Sequence, residues 1–286
     1  MDVALRRNRL DARQLVATIA PGANVREVAS GANKIFRIIE DDGSSSVIKV
    51  YASASRERRE RHALEALAGT HGVPAILDRG TDYDTPWIRM VDGGAWTLAT
   101  LPENHQLARR AGAILRAVHD TAGTAISNLE GGMDGDWVGS HYFSTLRRLE
   151  RYRRRLLLSP DLLRRALTSP PPRGGNPRPG HTNPRPGKFA VNDAGDVMLL
   201  DWEWGTLAPP EWDLSLALWR MKVEVTPAAA DALHAGYGAT LPDDRLRPWI
   251  AFHTARWMLD AAERRDGRLG DLEYLRDELE AALAHS

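Results

Sequence analysis

The chain of 286 residues carries 38 Lys and Arg against 38 Asp and Glu, a formal net charge of zero. Its hydrophobic fraction of 43% and charged fraction of 27% are those of a globular protein long enough for two lobes with a real core. The charge balance argues against a broadly basic nucleic-acid surface, and the absence of cysteine excludes disulfides, thiolate zinc sites and cysteine nucleophiles.

The first ten residues are polar and Arg-rich without a long apolar core, so no signal peptide is expected. No apolar run approaches the roughly 18 residues of a membrane span, and the expected location is the cytoplasm. Leu15, Val16 and Ile19 stand at helical spacing and predict a short helix that Pro21-Gly22 ends. Strands follow over 24–29, 34–40 and 46–51, joined by a turn at 30–33 and by the hairpin signal Asp41-Asp42-Gly43. Lys49, between Ile48 and Val50, faces away from both neighbours. Taken alone it reads as a solvated lysine on an amphipathic strand. Residues 53–68 predict a helix capped by Ser53 or Ser55. Glu60, Leu64 and Leu67 share one of its faces. That sets a Lys49–Glu60 pair across strand and helix against the plainer reading of Glu60 as an exposed ion-pair partner.

Residues 75–77 and 86–91 supply two further strands, and Asp92-Gly93-Gly94 reads as a hinge. The expected division is a first lobe over 1–92 and a helical second lobe over 93–286. In the second, Leu107, Ala111, Ile114, Leu115 and Val118 form a helical stripe ending near His119, which reads as structural. Residues 141–168 predict one or two helices, with the Arg run 151–155 a solvated face. Residues 169–187 contain N-P-R-P-G twice, at 176–180 and 183–187, and are expected to be a loop, since such a stretch suits neither helix nor central strand. Phe189–Val191 and Val197–Leu200 then form two strands about a polar turn. They bring a loop bearing His181, Asn183 and Lys188 beside Asp201 and Glu203, an arrangement suited to phosphate and metal. Helices over 211–221, 226–237, 245–265 and 270–284 complete the chain. The nine His show no H-x-x-x-H spacing, which argues against a metal hydrolase. The Arg, Pro and Gly residues of 151–188 lack the interleaved aromatics of an RNA-binding surface.

In order and spacing these pieces resemble the aminoglycoside phosphotransferase and choline kinase branch of the kinase-like superfamily, from about Val25 to about Leu259. The resemblance implies an α+β, two-lobed, protein-kinase-like fold: a small lobe with a five-stranded antiparallel sheet and one helix, a helical large lobe, and ATP in the cleft. Ser30-Gly31-Ala32-Asn33 is similar to the family's phosphate-covering turn, which implicates Ser30, Gly31 and Asn33 in nucleotide binding. Lys49 matches the third-strand lysine that holds α- and β-phosphates, and Glu60 the helix glutamate that steadies it. Pro86–Met90 resembles the linker strand where adenine meets backbone, at Met90. Leu200-Asp201-Trp202-Glu203 resembles the second metal motif, with Asp201 and Glu203 as Mg2+ ligands, and Asp213 matches a residue that braces the catalytic loop.

The family's catalytic loop reads H-G-D-x-x-x-x-N. Here His181 keeps the histidine, Asn183 replaces the catalytic aspartate and Lys188 the metal-binding asparagine, and G-N-P-R-P stands where an apolar strand is usual. Two functions remain open at this level. One is ATP-dependent transfer of the γ-phosphate to a hydroxyl of a small molecule (aminoglycoside, choline, sugar or similar), with Lys188 replacing the charge of one metal ion and His181 as an alternative base. The other is a pseudokinase that binds nucleotide or ligand without transfer. Neither reading involves nucleic acid or a membrane.

Overall fold

Period-two alternation in the first ninety residues builds a sheet with two unlike faces. The computed structural model describes residues 11–122, 129, 132–172, 176–238, 243–263 and 269–284. The polar first ten residues and Arg173–Gly175 of the proline-rich loop lie outside the described residues. After α1 (Ala12–Ile19) come β1 (Asn24–Ser30), β2 (Lys34–Ile39) and β3 (Ser45–Val50), then α2 (Ala54–Ala66), β4 (Ile76–Asp82) and β5 (Thr85–Val91). The five strands form one antiparallel sheet in the order β1-β2-β3-β5-β4. Phe36, Ile38, Ile48, Val50 and Trp87 on one face pack under Leu15 and Val16 of α1. Val47, Tyr51, Ile88 and Met90 on the other meet Ala63, Leu64 and Leu67 at and beyond the end of α2. Lys49 belongs to this second face. Because both faces are covered, the alternation does not mark solvent, and the solvated reading of Lys49 fails: the residue is 4% exposed.

The chain leaves the sheet through Asp92-Gly93-Gly94 and reaches β6 (Trp96–Thr97). Arg37 of β2 clasps this connection. Its Nε donates to Asp92 Oδ2 at 2.6 Å, and its Nη2 donates to Asp92 Oδ1 at 3.0 Å and to the Gly94 carbonyl at 2.6 Å. Gly94 has a φ of 107°, and a Cβ there would stand 2.2 Å from the Val191 carbonyl oxygen, so no side chain fits.

The second lobe holds α3 (His105–Asp120), α4 (Gly135–Tyr152), α5 (Pro160–Thr168), β7 (Arg178–Gly180), β8 (Phe189–Val191), β9 (Val197–Leu199) and β10 (Thr206–Ala208). These are followed by α6 (Pro210–Glu224), α7 (Pro227–Tyr237), α8 (Asp243–Glu263) and α9 (Leu269–Leu283). The stretch expected to be wholly loop contains β7, which pairs antiparallel with β10 despite Pro177 and Pro179. A two-stranded ribbon tolerates a proline because the side without an N–H needs no partner. Strands β6, β8 and β9 form a second small sheet. Pro210 occupies the first turn of α6, where its missing N–H is harmless. Helix α6 is buried on nearly every side, its Trp212 and Trp219 inside the core formed with α4, α5, α8 and α9. This buried helix fixes the catalytic-type loop described next.

Candidate active site

The loop between β7 and β8 is positioned by its own backbone. The N–H groups of His181 and Thr182 converge on the Asp213 carboxylate in the first turn of α6, at 2.6 and 2.7 Å. Thr182 adopts a φ of 63°, rare for a threonine, and is held there from three sides. Asp213 accepts its N–H, its hydroxyl donates to the Trp204 carbonyl at 3.0 Å, and its carbonyl accepts the Trp212 indole N–H at 3.0 Å. Asp213 thus sits where sequence reasoning placed a loop brace. His119 stands 3.4 Å from its Oδ2 and holds the Tyr237 hydroxyl at 2.8 Å.

His181 is fully buried. Its Nε2 donates to the Leu200 carbonyl at 2.8 Å, and its Nδ1 accepts the Asn183 N–H at 3.3 Å. Burial holds its pKa below the usual histidine value. Both ring nitrogens are committed, so the ring presents no free base. The side chain that reaches the cavity is that of Asn183, which shares its wall with Thr182 and Arg185.

A second cluster joins the lobes. Lys49 Nζ donates to Glu60 Oε2 and to Asp201 Oδ1, both at 2.6 Å. Glu60 is 1% exposed, and its other oxygen accepts the Trp202 N–H at 3.2 Å. Lys188 Nζ donates to Asp201 Oδ2, so each oxygen of Asp201 carries an ammonium group. Asp201 itself has a φ of 73° in the left-handed region. Glu203 Oε2 accepts from Asn33 Nδ2 at 2.8 Å, and Arg56 lies 3.5 Å from Oε1. Burial works against the charged Asp201, but Lys49 and Lys188 outweigh it and hold the carboxyl well below its ordinary pKa. Burial likewise disfavours the Lys49 ammonium, and the two carboxylates overcome it and raise its pKa. Glu60 goes the other way: complete burial raises its pKa further than Lys49 lowers it.

Oxygens of Glu60, Asp201 and Glu203 lie within 4.8 Å of one another, a hard donor set of the kind Mg2+ accepts. Asp201 and Glu203 fit that ion, because their side chains are 24% and 10% exposed, whereas Glu60 at 1% is sealed between Lys49 and the Trp202 N–H. The cluster is self-neutralised. The cations of Lys49, Lys188 and Arg56 match the anions of Glu60, Asp201 and Glu203.

The other residues singled out in the sequence fall as follows. Gly31 is exposed, and its N–H donates to the Asn33 carbonyl at 3.1 Å. Asn33 links the first turn to the large lobe through Glu203. Ser30 ends β1 opposite Lys34, and its side chain lies outside the described part of the structure. Met90 lies inside β5, opposite Val47 and Ile76, with a buried side chain. Sequence reasoning missed the cavity wall. Arg59, Arg185, Arg256, Trp137, Trp204 and Trp257 line about 730 Å3 of space beside Asn183. They come from α2, α4, the loop after β7, the segment after β9, and α8, and no local spacing connects them.

Comparison with known proteins places this geometry. No curated protein sequence matches the chain. Solved structures align over nearly its whole length. An aminoglycoside 2′-phosphotransferase in complex with GDP is 17% identical, covering 96% of this chain and 98% of its own, with a TM-score of 0.71. A macrolide 2′-phosphotransferase from Brachybacterium faecium is 17% identical over 96% of each chain, with a TM-score of 0.63. An ethanolamine kinase from Plasmodium vivax is 12% identical, covers 96% of this chain and 85% of its own, and has a TM-score of 0.63. These likenesses show a two-lobed kinase-like fold. The model of the phosphotransferase enzyme family matches residues 24–253. The chain belongs to the phosphotransferase enzyme family.

Proposed function

We propose that this protein is an ATP-dependent phosphotransferase that moves the γ-phosphate to a hydroxyl of a small molecule. The observation that carries the reading is the Lys49–Glu60–Asp201 chain at 2.6 Å on each side of Lys49, buried between the lobes. A lysine so fixed, with Glu60 beside it in its own lobe and Asp201 facing it from the other, fits a nucleotide triphosphate better than any structural purpose. A buried ion network contributes little net stability. The lobe boundary belongs at Asp92-Gly93, where the Arg37 clasp ends the sheet. Ser30, Gly31 and Asn33 form the turn over the phosphates. Adenine would meet the backbone at the end of β5, beyond Met90. The cytoplasm is where such a nucleotide is available.

In this mechanism Lys49 holds phosphate oxygens, kept in place and charged by Glu60. Asp201 and Glu203 would hold Mg2+, which would supply divalent charge to the nucleotide's phosphates. Lys188, displaced from Asp201 by the metal, would leave its ammonium nearby as a further positive charge for the phosphates. The acceptor oxygen forms a bond to the γ-phosphorus as the bridging P–O bond breaks and ADP leaves. Asn183 accepts or donates a hydrogen bond to the acceptor hydroxyl and orients it. An amide takes no proton, so the hydroxyl proton passes to a phosphoryl oxygen late in a loose transition state, where positioning and charge outweigh base strength. His181 is a positioning residue that fixes the Asn183 backbone.

A second reading, nucleotide binding without transfer, is favoured by the same two residues, Asn183 and Lys188. One experiment separates the outcomes. Mg·ATP should raise the melting temperature, Lys49→Ala should remove the rise, and ADP should accumulate only with an acceptor present. A protein with no thermal response to any nucleotide is not the enzyme proposed. A response without ADP from any hydroxylated acceptor selects the second reading.

A further inference from the structure

The cavity beside Asn183 has a charge character that decides which acceptors it admits. Three arginines from three elements converge on it: Arg59 of α2, Arg185 of the loop after β7, and Arg256 of α8. Each lies over an indole ring. Arg59 sits 4.7 Å from the centroid of Trp204, Arg185 5.4 Å from Trp257, and Arg256 4.7 Å from Trp212. The Nε atoms of Arg59 and Arg185 are buried and find no hydrogen-bond partner among the described residues. Among the described lining residues Asp260 is the one carboxylate, and it lies exposed one turn beyond Arg256. His141 stands on the same wall. Burial first, then the nearby Arg256 and Arg148, hold its pKa below the usual value.

A cavity built for a polycation needs carboxylates, and one built for a quaternary ammonium needs open aromatic faces. Here the carboxylates are nearly absent, and three of the indole rings already carry guanidinium groups. Trp257 carries a second, that of Arg220 at 4.2 Å. Guanidinium forks match the two oxygens of a carboxylate or phosphate. Trp137, stacked on His141 at 4.7 Å, adds a flat apolar wall. We propose that this cavity takes a hydroxylated acceptor that bears an oxyanion on an aromatic body, and that it rejects amine-rich acceptors. The proposal deepens the phosphotransfer reading and rests on it for the hydroxyl beside Asn183.

The test uses ligands sharing one hydroxylated ring and differing in charge: 4-hydroxyphenylacetate, 4-hydroxyphenyl phosphate, the neutral 4-hydroxyphenylacetamide and the cation tyramine. Binding is measured by ligand-observed NMR on the whole chain without nucleotide. One desolvated charge-assisted contact should make an oxyanion bind about tenfold or more tightly than tyramine, with the amide between. The ratio of the two oxyanions tells carboxylate from phosphate, and either one above the amide supports the proposal. Arg59→Gln and Arg185→Gln, checked for folding by circular dichroism, should each shrink the preference severalfold. Arg59→Lys should keep it, which separates charge from packing. Tyramine binding as well as the oxyanions, no binding of any probe at millimolar concentration, or a preference untouched by both glutamine variants overturns the proposal. Because no nucleotide is present, a chain that ranks the probes as stated yet ignores Mg·ATP keeps this assignment and loses the phosphotransfer reading.

Discussion

The substitution Lys188→Asn probes the ammonium that holds Oδ2 of the Asp201 carboxylate. Lys188 and Asp201 are each about a quarter exposed, and the ammonium takes Oδ2 of the carboxylate while Lys49 takes Oδ1 at 2.6 Å. Unit charges about 4 Å apart interact by roughly 4 kcal/mol at an effective dielectric constant of about 20. A divalent ion arriving at Asp201 must displace an attraction of that order. Lys188 can swing its ammonium toward water on a flexible stem, which returns most of it and leaves about 1–3 kcal/mol against the metal. Removing the charge should therefore lower the Mg2+ concentration for half-maximal nucleotide binding by roughly 5- to 150-fold. The same change should destabilise the unliganded protein by about 1–2 kcal/mol, since Asp201 loses one of its two cations. The assay is calorimetric titration of a non-hydrolysable ATP analogue across a Mg2+ series at constant ionic strength, with urea unfolding alongside. A half-maximal Mg2+ concentration unchanged within about twofold would refute the reasoning, because it would place Lys188 outside the metal's reach.

Three further outcomes are expected. Asn183→Asp restores a carboxylate facing the cavity; if a missing base limits turnover, ADP release with a working acceptor should rise by about 10^2-fold or more. A wild-type enzyme that turns over and is slowed by this change instead eliminates the non-catalytic reading. His253 is fully buried against Trp212, and burial pushes its pKa down to about 3. Its folded value lies below its unfolded one, so its contribution is complete above pH 6.5 and is lost as pH falls toward 3. Wild-type stability should fall there by up to about 1.4 kcal/mol per pH unit from this residue, and His253→Gln should flatten that slope in urea unfolding. Equal slopes would contradict the assignment. Gly94→Ala would force a Cβ to 2.2 Å from the Val191 carbonyl at a φ of 107°. A loss of about 3 kcal/mol or more is expected, and a loss below about 1 kcal/mol would mean that the hinge relaxes around the new side chain.

The readable parts of the chain are those whose physics is local. Strands, hairpin turns and helices emerge from period and punctuation, and the order of elements carries the fold. The proline-rich stretch was legible only in part. Pro177 and Pro179 argue against a central strand, and the structure resolves the conflict by giving β7 a single partner, β10. The same limit applies to Lys49. Its alternation is correct, but whether a strand face meets water or a second lobe is not written in the strand.

What the sequence determined by itself is which residues alternate, where the chain turns, and that an amide and a lysine stand at two positions of the catalytic-type loop. Tertiary structure alone decided that Lys49 and Lys188 each take one oxygen of Asp201, and that His181 is sealed behind the loop with both nitrogens engaged. It also decided that Arg59, Arg185 and Arg256, spread over some two hundred residues, face one cavity. The reason is the range of the forces. Backbone propensity and turn chemistry act over a few neighbours. Charge pairing, burial and the shape of a cavity depend on which distant segments the packed core brings within a few ångströms.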